Sequence, residues 1–179
     1  MKQIEEIGFY CPADAEDTQR WEALSAFVET GADVFGRDPA EDHVTGSAFV
    51  LSPDQGSVLL THHAKLDMWL QLGGHCDGIA DVPFVALKEA YEESGLRRIR
   101  PVGNPRQVLD VDIQTIPANA REPKHLHYDV RYLFVATDWT VTVSAESKAL
   151  RWVPLGELAT YAVNDSVLRL RNRACAALG

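Results

Sequence analysis

The sequence holds no apolar run long enough to span a bilayer, and its opening stretch, MKQIEEIGFYCPAD, has acids where a secretory leader needs a hydrophobic segment. Cysteine is scarce. Cys11, Cys76 and Cys175 are odd in number and form no paired motif, so neither a disulfide framework nor a zinc site is expected, and the compartment is read as reducing and cytoplasmic. Basic residues are in deficit: 17 Lys and Arg stand against 26 Asp and Glu, which leaves a formal charge of -9 and a pI near 5.1. Such a chain does not hold a nucleic-acid backbone by electrostatics, whereas a small phosphorylated ligand suits it if metal ions offset the charge. Repeats and low-complexity tracts are absent. What remains, 179 residues of which 46% are hydrophobic and 24% charged, suits one soluble domain with a full core.

Within that chain the densest signal is the stretch 73–96, GGHCDGIADVPFVALKEAYEESGL. Asp81 is placed as an N-cap, Pro83 fits a first turn where a missing N–H costs nothing, and Gly95 fits the left-handed position that closes a helix. Between them Glu89, Glu92 and Glu93 fall at i, i+3 and i+4 and share one helical face. Two such carboxylates about 6 Å apart repel by roughly 0.7 kcal/mol in water and by about 3 kcal/mol at an effective dielectric of about 20. On a solvated face this is tolerable, with Lys88 pairing to Glu92 at i+4; in a cleft it calls for a cation. Hard divalent ions, Mg²⁺ above all, are held by one or two carboxylates with waters and substrate phosphate oxygens. A short strand over 68–72 runs directly into Gly73 and Gly74, where the missing Cβ lets main chain approach a ligand.

These residues resemble the Nudix box, in which a glycine is followed at fixed spacing by a glutamate and then by Arg-Glu-aliphatic-any-Glu-Glu-any-Gly-aliphatic. Gly74 takes the first position and 88–96 the last segment, with the spacing intact. Two positions depart. Ala80 stands where the first acid would be, and Lys88 replaces the arginine, exchanging a planar fork for a point charge on a flexible stem. Asp77 and Asp81 lie near enough in sequence to stand in for the missing acid. The resemblance implies an α/β fold, a Nudix-like α/β/α sandwich with a mixed sheet over 44–179, and leaves 1–43 as a helical extension packed on it. It implies metal at Glu89, Glu92 and Glu93, with the backbone carbonyl of Gly73 or Gly74 completing the shell and Mg²⁺ or Mn²⁺ as the cofactor. The implied reaction is metal-dependent hydrolysis of a diphosphate bond in a nucleoside diphosphate linked to another group. Partners are then a small phosphorylated substrate and, in a homodimer, a second copy of the chain, with no membrane involved.

The rest of the chain reads as scaffold. A helix over 17–30 carries Trp21, Leu24, Phe27 and Val28 on one stripe, and 32–43 is a loop by its Gly, Pro and acids. Strands are predicted over 44–51 and 57–62, joined by SPDQG as a hairpin, then over 107–116, 124–136 and 149–153. In 107–116, Leu109, Val111 and Ile113 oppose Asp110 and Asp112. A final helix begins at Asp165 or Ser166 and buries Val167, Leu170, Ala174 and Leu178, leaving Arg169, Arg171 and Arg173 for the helix dipole or for solubility. Strands interrupted by a central helix and closed by a terminal one point to a mixed sheet covered on both sides.

The strand 124–136 alternates most cleanly. Leu126, Tyr128, Val130, Tyr132 and Phe134 form an apolar face, and His125, His127, Asp129 and Arg131 the opposite one. That polar face is either water-facing or lines the substrate cleft, under a loop over 117–124. In the second case Arg131 and the histidines meet phosphate or base, while Asp129 orients a histidine or acts on the water. The expected catalytic set is therefore Glu89, Glu92, Glu93, Lys88 and Asp129, with Gly74, His125, His127 and Arg131 toward substrate; His75 is read as a turn residue or a support rather than a ligand. Two other classes remain open. An isopentenyl-diphosphate isomerase-like enzyme would use Cys76, and a non-catalytic nucleotide-binding module would explain Ala80 and Lys88.

Overall fold

The strand from which the sheet is built in both directions is β1 (His43–Leu51), buried along its whole length. The computed structural model describes residues 2–38, 41–63, 67–120, 122–143, 147–161 and 163–179. Along one edge β1 pairs in parallel with β7 (His125–Ala136), from His43 opposite His127 to Leu51 opposite Val135. Its other edge is shared by β4 (Leu72–His75), antiparallel along Thr45 to Ala48, and β2 (Ser57–His63), which meets it where Leu51 lies opposite Val58. β2 in turn carries β3 (Met68–Leu70) and β8 (Ser147–Pro154). On the far side β7 pairs with β5 (Ile99–Pro101) and β6 (Val108–Ile116). The parallel β1–β7 pair requires a crossover, and the helix of the acidic stretch, α3 (Val82–Ser94), lies within it.

Helices cover both faces, as the alternating strands demand. Even-numbered residues of β1 and β7, among them Val44, Ala48, Val50, Val130, Tyr132 and Phe134, share a core with Val82, Val85, Ala86 and Ala90 of α3. α1 (Lys2–Ile7) and α2 (Ala15–Val28) bring Ile7, Leu24 and Val28 into the same core, each such side chain worth about 1.5–3 kcal/mol of burial. The other face packs Phe49, Leu51 and Leu133 against Val167, Leu170 and Ala174 of α4 (Asp165–Leu178) and Leu158 of a 3₁₀ turn, Leu155–Thr160. This is the mixed-sheet α/β arrangement expected. Among the described residues no helix is long and apolar enough to cross a membrane.

Several local expectations are corrected. α1 and β5 are too short to announce themselves by periodicity. In β6 the register slips between Val108 and Asp110, so Val108 and Val111 reach the α3-side core while Leu109 packs on the opposite face with the α4 cluster. Asp81 occupies the N-cap of α3 without a capping hydrogen bond, its carboxylate lying 3.5 Å from Arg106 instead. α4 is capped by Asn164, which accepts from the Val167 N–H, one residue before the expected start. Within the stretch read as a loop, Val34 and Phe35 are buried in the core; Pro39 and Ala40, and Arg121 of the later loop, lie outside the described residues.

Candidate active site

α3 is set against the sheet by a glycine. A Cβ on Gly46 in β1 would stand 3.1 Å from the Val82 carbonyl oxygen and 3.2 Å from the Ala86 nitrogen, so helix and strand approach at backbone distance there. The helix then ends as its sequence dictates, with Gly95 at φ 64° and its N–H donating to the Tyr91 carbonyl. This docking brings the acidic face onto β4. The Gly73 N–H donates to Glu93 Oε2 at 3.0 Å, and the Glu89 carboxylate occupies the space a side chain on Gly74 would need. Lys88 bridges the two other acids, its Nζ 2.8 Å from Glu89 Oε1 and 2.9 Å from Glu92 Oε2. Those two hydrogen bonds hold its ammonium protonated well above the ordinary lysine range. The Glu89 side chain is 15% exposed and that of Glu92 58%, so the cluster grades from a sheltered acid to an open one.

The structure thus brings Gly73, Gly74, Lys88, Glu89, Glu92 and Glu93 together. Neither Asp77 nor Asp81 stands in for the missing acid at Ala80, which packs half-buried on the core; Asp77 lies 3.9 Å from Arg37, and Asp81 faces Arg106.

The polar face of β7 is elsewhere. Because the even residues of β1 and β7 face α3, the odd ones point to the opposite side of the sheet, where α4 lies. Arg131 is fully buried: its guanidinium donates to Asp129 at 2.7 Å, Asp112 at 3.0 Å, Asp110 at 3.2 Å and Ser166 at 3.2 Å. Arg169 of α4 closes the same network on Asp110 and Asp112. This corrects the expectation for Arg131 as a phosphate contact, since it has no exposed surface and four of its five N–H donors are engaged inside the protein. It also corrects that for Arg169 as a dipole or solubility residue. Asp129 is equally committed. Oδ1 accepts from Thr45 at 3.0 Å and Ser47 at 2.8 Å, and Oδ2 from Arg131 and from Gln71 at 3.3 Å. About four lone-pair sites exist on a carboxylate, and all are filled, so the expectation that Asp129 acts on a water gives way to an internal anchor.

At the outer end of that face the rings of His43, His75, His125 and His127 cluster, with His43 to His127 centroids 4.5 Å apart and His43 to His75 5.1 Å. Burial, with the neighbouring Arg37 and His43 adding to it, lowers His75 to about 4; burial and the other three rings lower His127 to about 3. The rings of these two are neutral at pH 7. His43 was missed by sequence reasoning, which placed it at the end of a loop, although His43, Thr45 and Ser47 alternate as polar residues along β1 and would have marked this face. Cys76 is 1% exposed, and burial, with Asp129, Asp77 and Glu89 nearby, pushes its thiol up to about 12.

No sequence model of a known family matches the chain, and no curated protein sequence does either. Solved structures do. The chain superposes on a Nudix-family hydrolase of Clostridium perfringens at a TM-score of 0.56 and 24% identity, covering 76% of this chain and 98% of that one. It superposes on the Nudix domain of NrtR from Shewanella oneidensis, solved with ADP ribose, at 0.58 and 18% identity over 87% and 98% of the two chains. The chain has the Nudix fold. A further Nudix-fold neighbour, the Ap4A hydrolase of C. elegans, gives 0.54 and 15% identity over 75% and 96%. On that fold the stretch 74–96 runs from the end of β4 through α3, with Gly73 and Gly74 inside the strand and not in the turn expected of them, which falls at Asp77 and Gly78.

Proposed function

We propose that the protein is a Nudix-type pyrophosphohydrolase, a metal-dependent hydrolase that cuts a diphosphate bond in a nucleoside diphosphate linked to another group. The observation that carries this reading is the fit of the β4 glycine pair to the acidic helix face, in which Gly73 holds Glu93 and Gly74 makes room for Glu89. The donor set suits a hard divalent cation, Mg²⁺ or Mn²⁺: carboxylates on a rigid helix, one of them open to solvent. Glu89, Glu92 and Glu93, with the Gly73 carbonyl, would hold it. When bound, such an ion supplies charge neutralisation of the phosphates and a lowered pKa for a coordinated water. The chain's own part is positioning. Gly73 fixes the Glu93 rotamer, Lys88 keeps Glu89 and Glu92 close together, and the exposed Glu92 is the acid with room to take a proton from water. The ADP ribose held by the Shewanella neighbour and the Ap4A named for the nematode one agree with a nucleotide of this size.

One observation favours a second reading, a non-catalytic nucleotide-binding module: the Lys88 ammonium lies between two of the acids, where it competes with a metal ion. The isomerase reading has lost its support, because a buried thiol near pKa 12 meets no substrate. Turnover of a panel of nucleoside diphosphate derivatives with and without Mg²⁺ separates the two remaining readings. Metal-dependent release of a mononucleotide is expected; saturable binding without turnover at any Mg²⁺ or Mn²⁺ concentration would establish the module.

A further inference from the structure

We propose that His43, His125 and His127 form a second metal site, separate from the acidic face of α3 and suited to a zinc-like divalent cation. One ring nitrogen from each of the three lies within 4.8 Å of the others. Their orientation is fixed from outside. His43 Nδ1 lies 2.9 Å from the Glu41 carbonyl and His125 Nδ1 3.0 Å from the Pro123 carbonyl, so each Nδ1 carries the proton and donates it to main chain. That leaves both Nε2 lone pairs turned inward, the arrangement by which a backbone carbonyl sets the tautomer of a metal-ligating histidine.

A second observation stands apart from this geometry. His43 is 2% exposed, and its Nε2 is buried with no hydrogen-bond partner. A buried lone pair left unmet costs about 1–3 kcal/mol, and a cation at the centre of the cluster would meet it. His125 Nε2 and His127 Nε2 are 3.1 Å apart. In a tetrahedral site with Zn–N bonds of about 2.0–2.1 Å the ligand nitrogens stand about 3.3 Å apart, so this pair already has the required spacing. His43 would close the remaining gap by a small ring movement.

The scaffold is rigid where such a site needs it. His43 and His127 are register partners on two paired central strands, and His125 lies two residues before His127 on the same face. His75 stands beside them on β4, its ring centroid 5.3 Å from that of His127. Imidazole nitrogens without a carboxylate favour Zn²⁺ over Mg²⁺, which takes oxygen donors. The scarcity of cysteine, which argued against zinc from the sequence, does not bear on a site built from histidines alone.

The experiment uses the full chain, stripped with chelator and then dialysed against Zn²⁺ in the presence of a large excess of Mg²⁺. One retained Zn²⁺ per chain is expected, together with a raised melting temperature, and Co²⁺ in its place should give the intense visible bands of a four-coordinate ion. His43→Gln and His125→Gln should each weaken Zn²⁺ binding by about tenfold or more. Glu92→Gln and Glu93→Gln should retain it, which keeps the outcome distinct from that for the acidic face. Circular dichroism establishes that each variant is folded. Absence of bound Zn²⁺ in the wild-type chain, or its undiminished retention by both folded histidine variants, would overturn the proposal.

Discussion

The Glu89 carboxylate rests on Gly74: a Cβ at residue 74 would stand 2.5 Å from Glu89 Oε2 and 2.6 Å from its Cδ. The obstructing atoms are the mobile end of a side chain and not backbone, so the fold can yield by moving the acid. Gly74→Ala should therefore melt within a few degrees of wild type while needing a much higher Mg²⁺ concentration for half-maximal turnover. An unchanged metal dependence would show that the Glu89 position does not matter to the ion.

Glu92→Gln and Glu93→Gln separate charge from shape. In Glu93→Gln the amide keeps an oxygen to accept the Gly73 N–H, and Glu92→Gln gives up only a half-exposed pair with Lys88, worth about 0.3–0.5 kcal/mol. Both variants should fold normally and lose turnover by orders of magnitude in saturating Mg²⁺. Wild-type turnover in both would remove the metal assignment.

Lys88 makes a prediction of opposite sign. Its ammonium neutralises Glu89 and Glu92, so Lys88→Ala should cost about 0.5 kcal/mol of stability yet raise the affinity for Mn²⁺, measured by calorimetry, because the competing cation is gone. A weaker affinity would mean that Lys88 positions the acids more than it competes for them.

Arg131 belongs to stability. Removing a fully buried guanidinium strands Asp110, Asp112 and Asp129 with part of their compensation, and breaking such a network typically costs about 3–5 kcal/mol. For a chain of this size that lowers the melting temperature by roughly 10 °C. Arg131→Met should show this shift and, where still folded, a near wild-type KM; a raised KM at unchanged stability would return Arg131 to the substrate.

The histidine cluster sets an acid limit. His75 and His127 titrate near 4 and near 3 in the folded chain, against 6.5 for a free ring. Between these values the unfolded chain binds more protons than the native one, so stability rises with pH across the window. In chelator, thermal melts should show full stability above about pH 6.5 and a progressive loss below it. His127→Gln should flatten that slope, and an unaltered slope would place the acid sensitivity in the carboxylates.

The sequence alone determined whatever depends on near neighbours. The i, i+3, i+4 spacing put Glu89, Glu92 and Glu93 on one face, Gly95 marked the end of the helix, and alternation divided the strand 124–136 into its two faces. Only the tertiary structure decided what those faces meet. The polar side of β7 pointed away from α3 because the α3 side of the sheet was taken by the even residues, and Arg131 met three aspartates from two strands that no local pattern brings together. The bulge at Leu109 sent one apolar residue of β6 to the opposite core. His43 joined His125 and His127 through a parallel register between strands far apart in the chain, and register of that kind is fixed by the packing of the whole sheet, not by the residues on either strand.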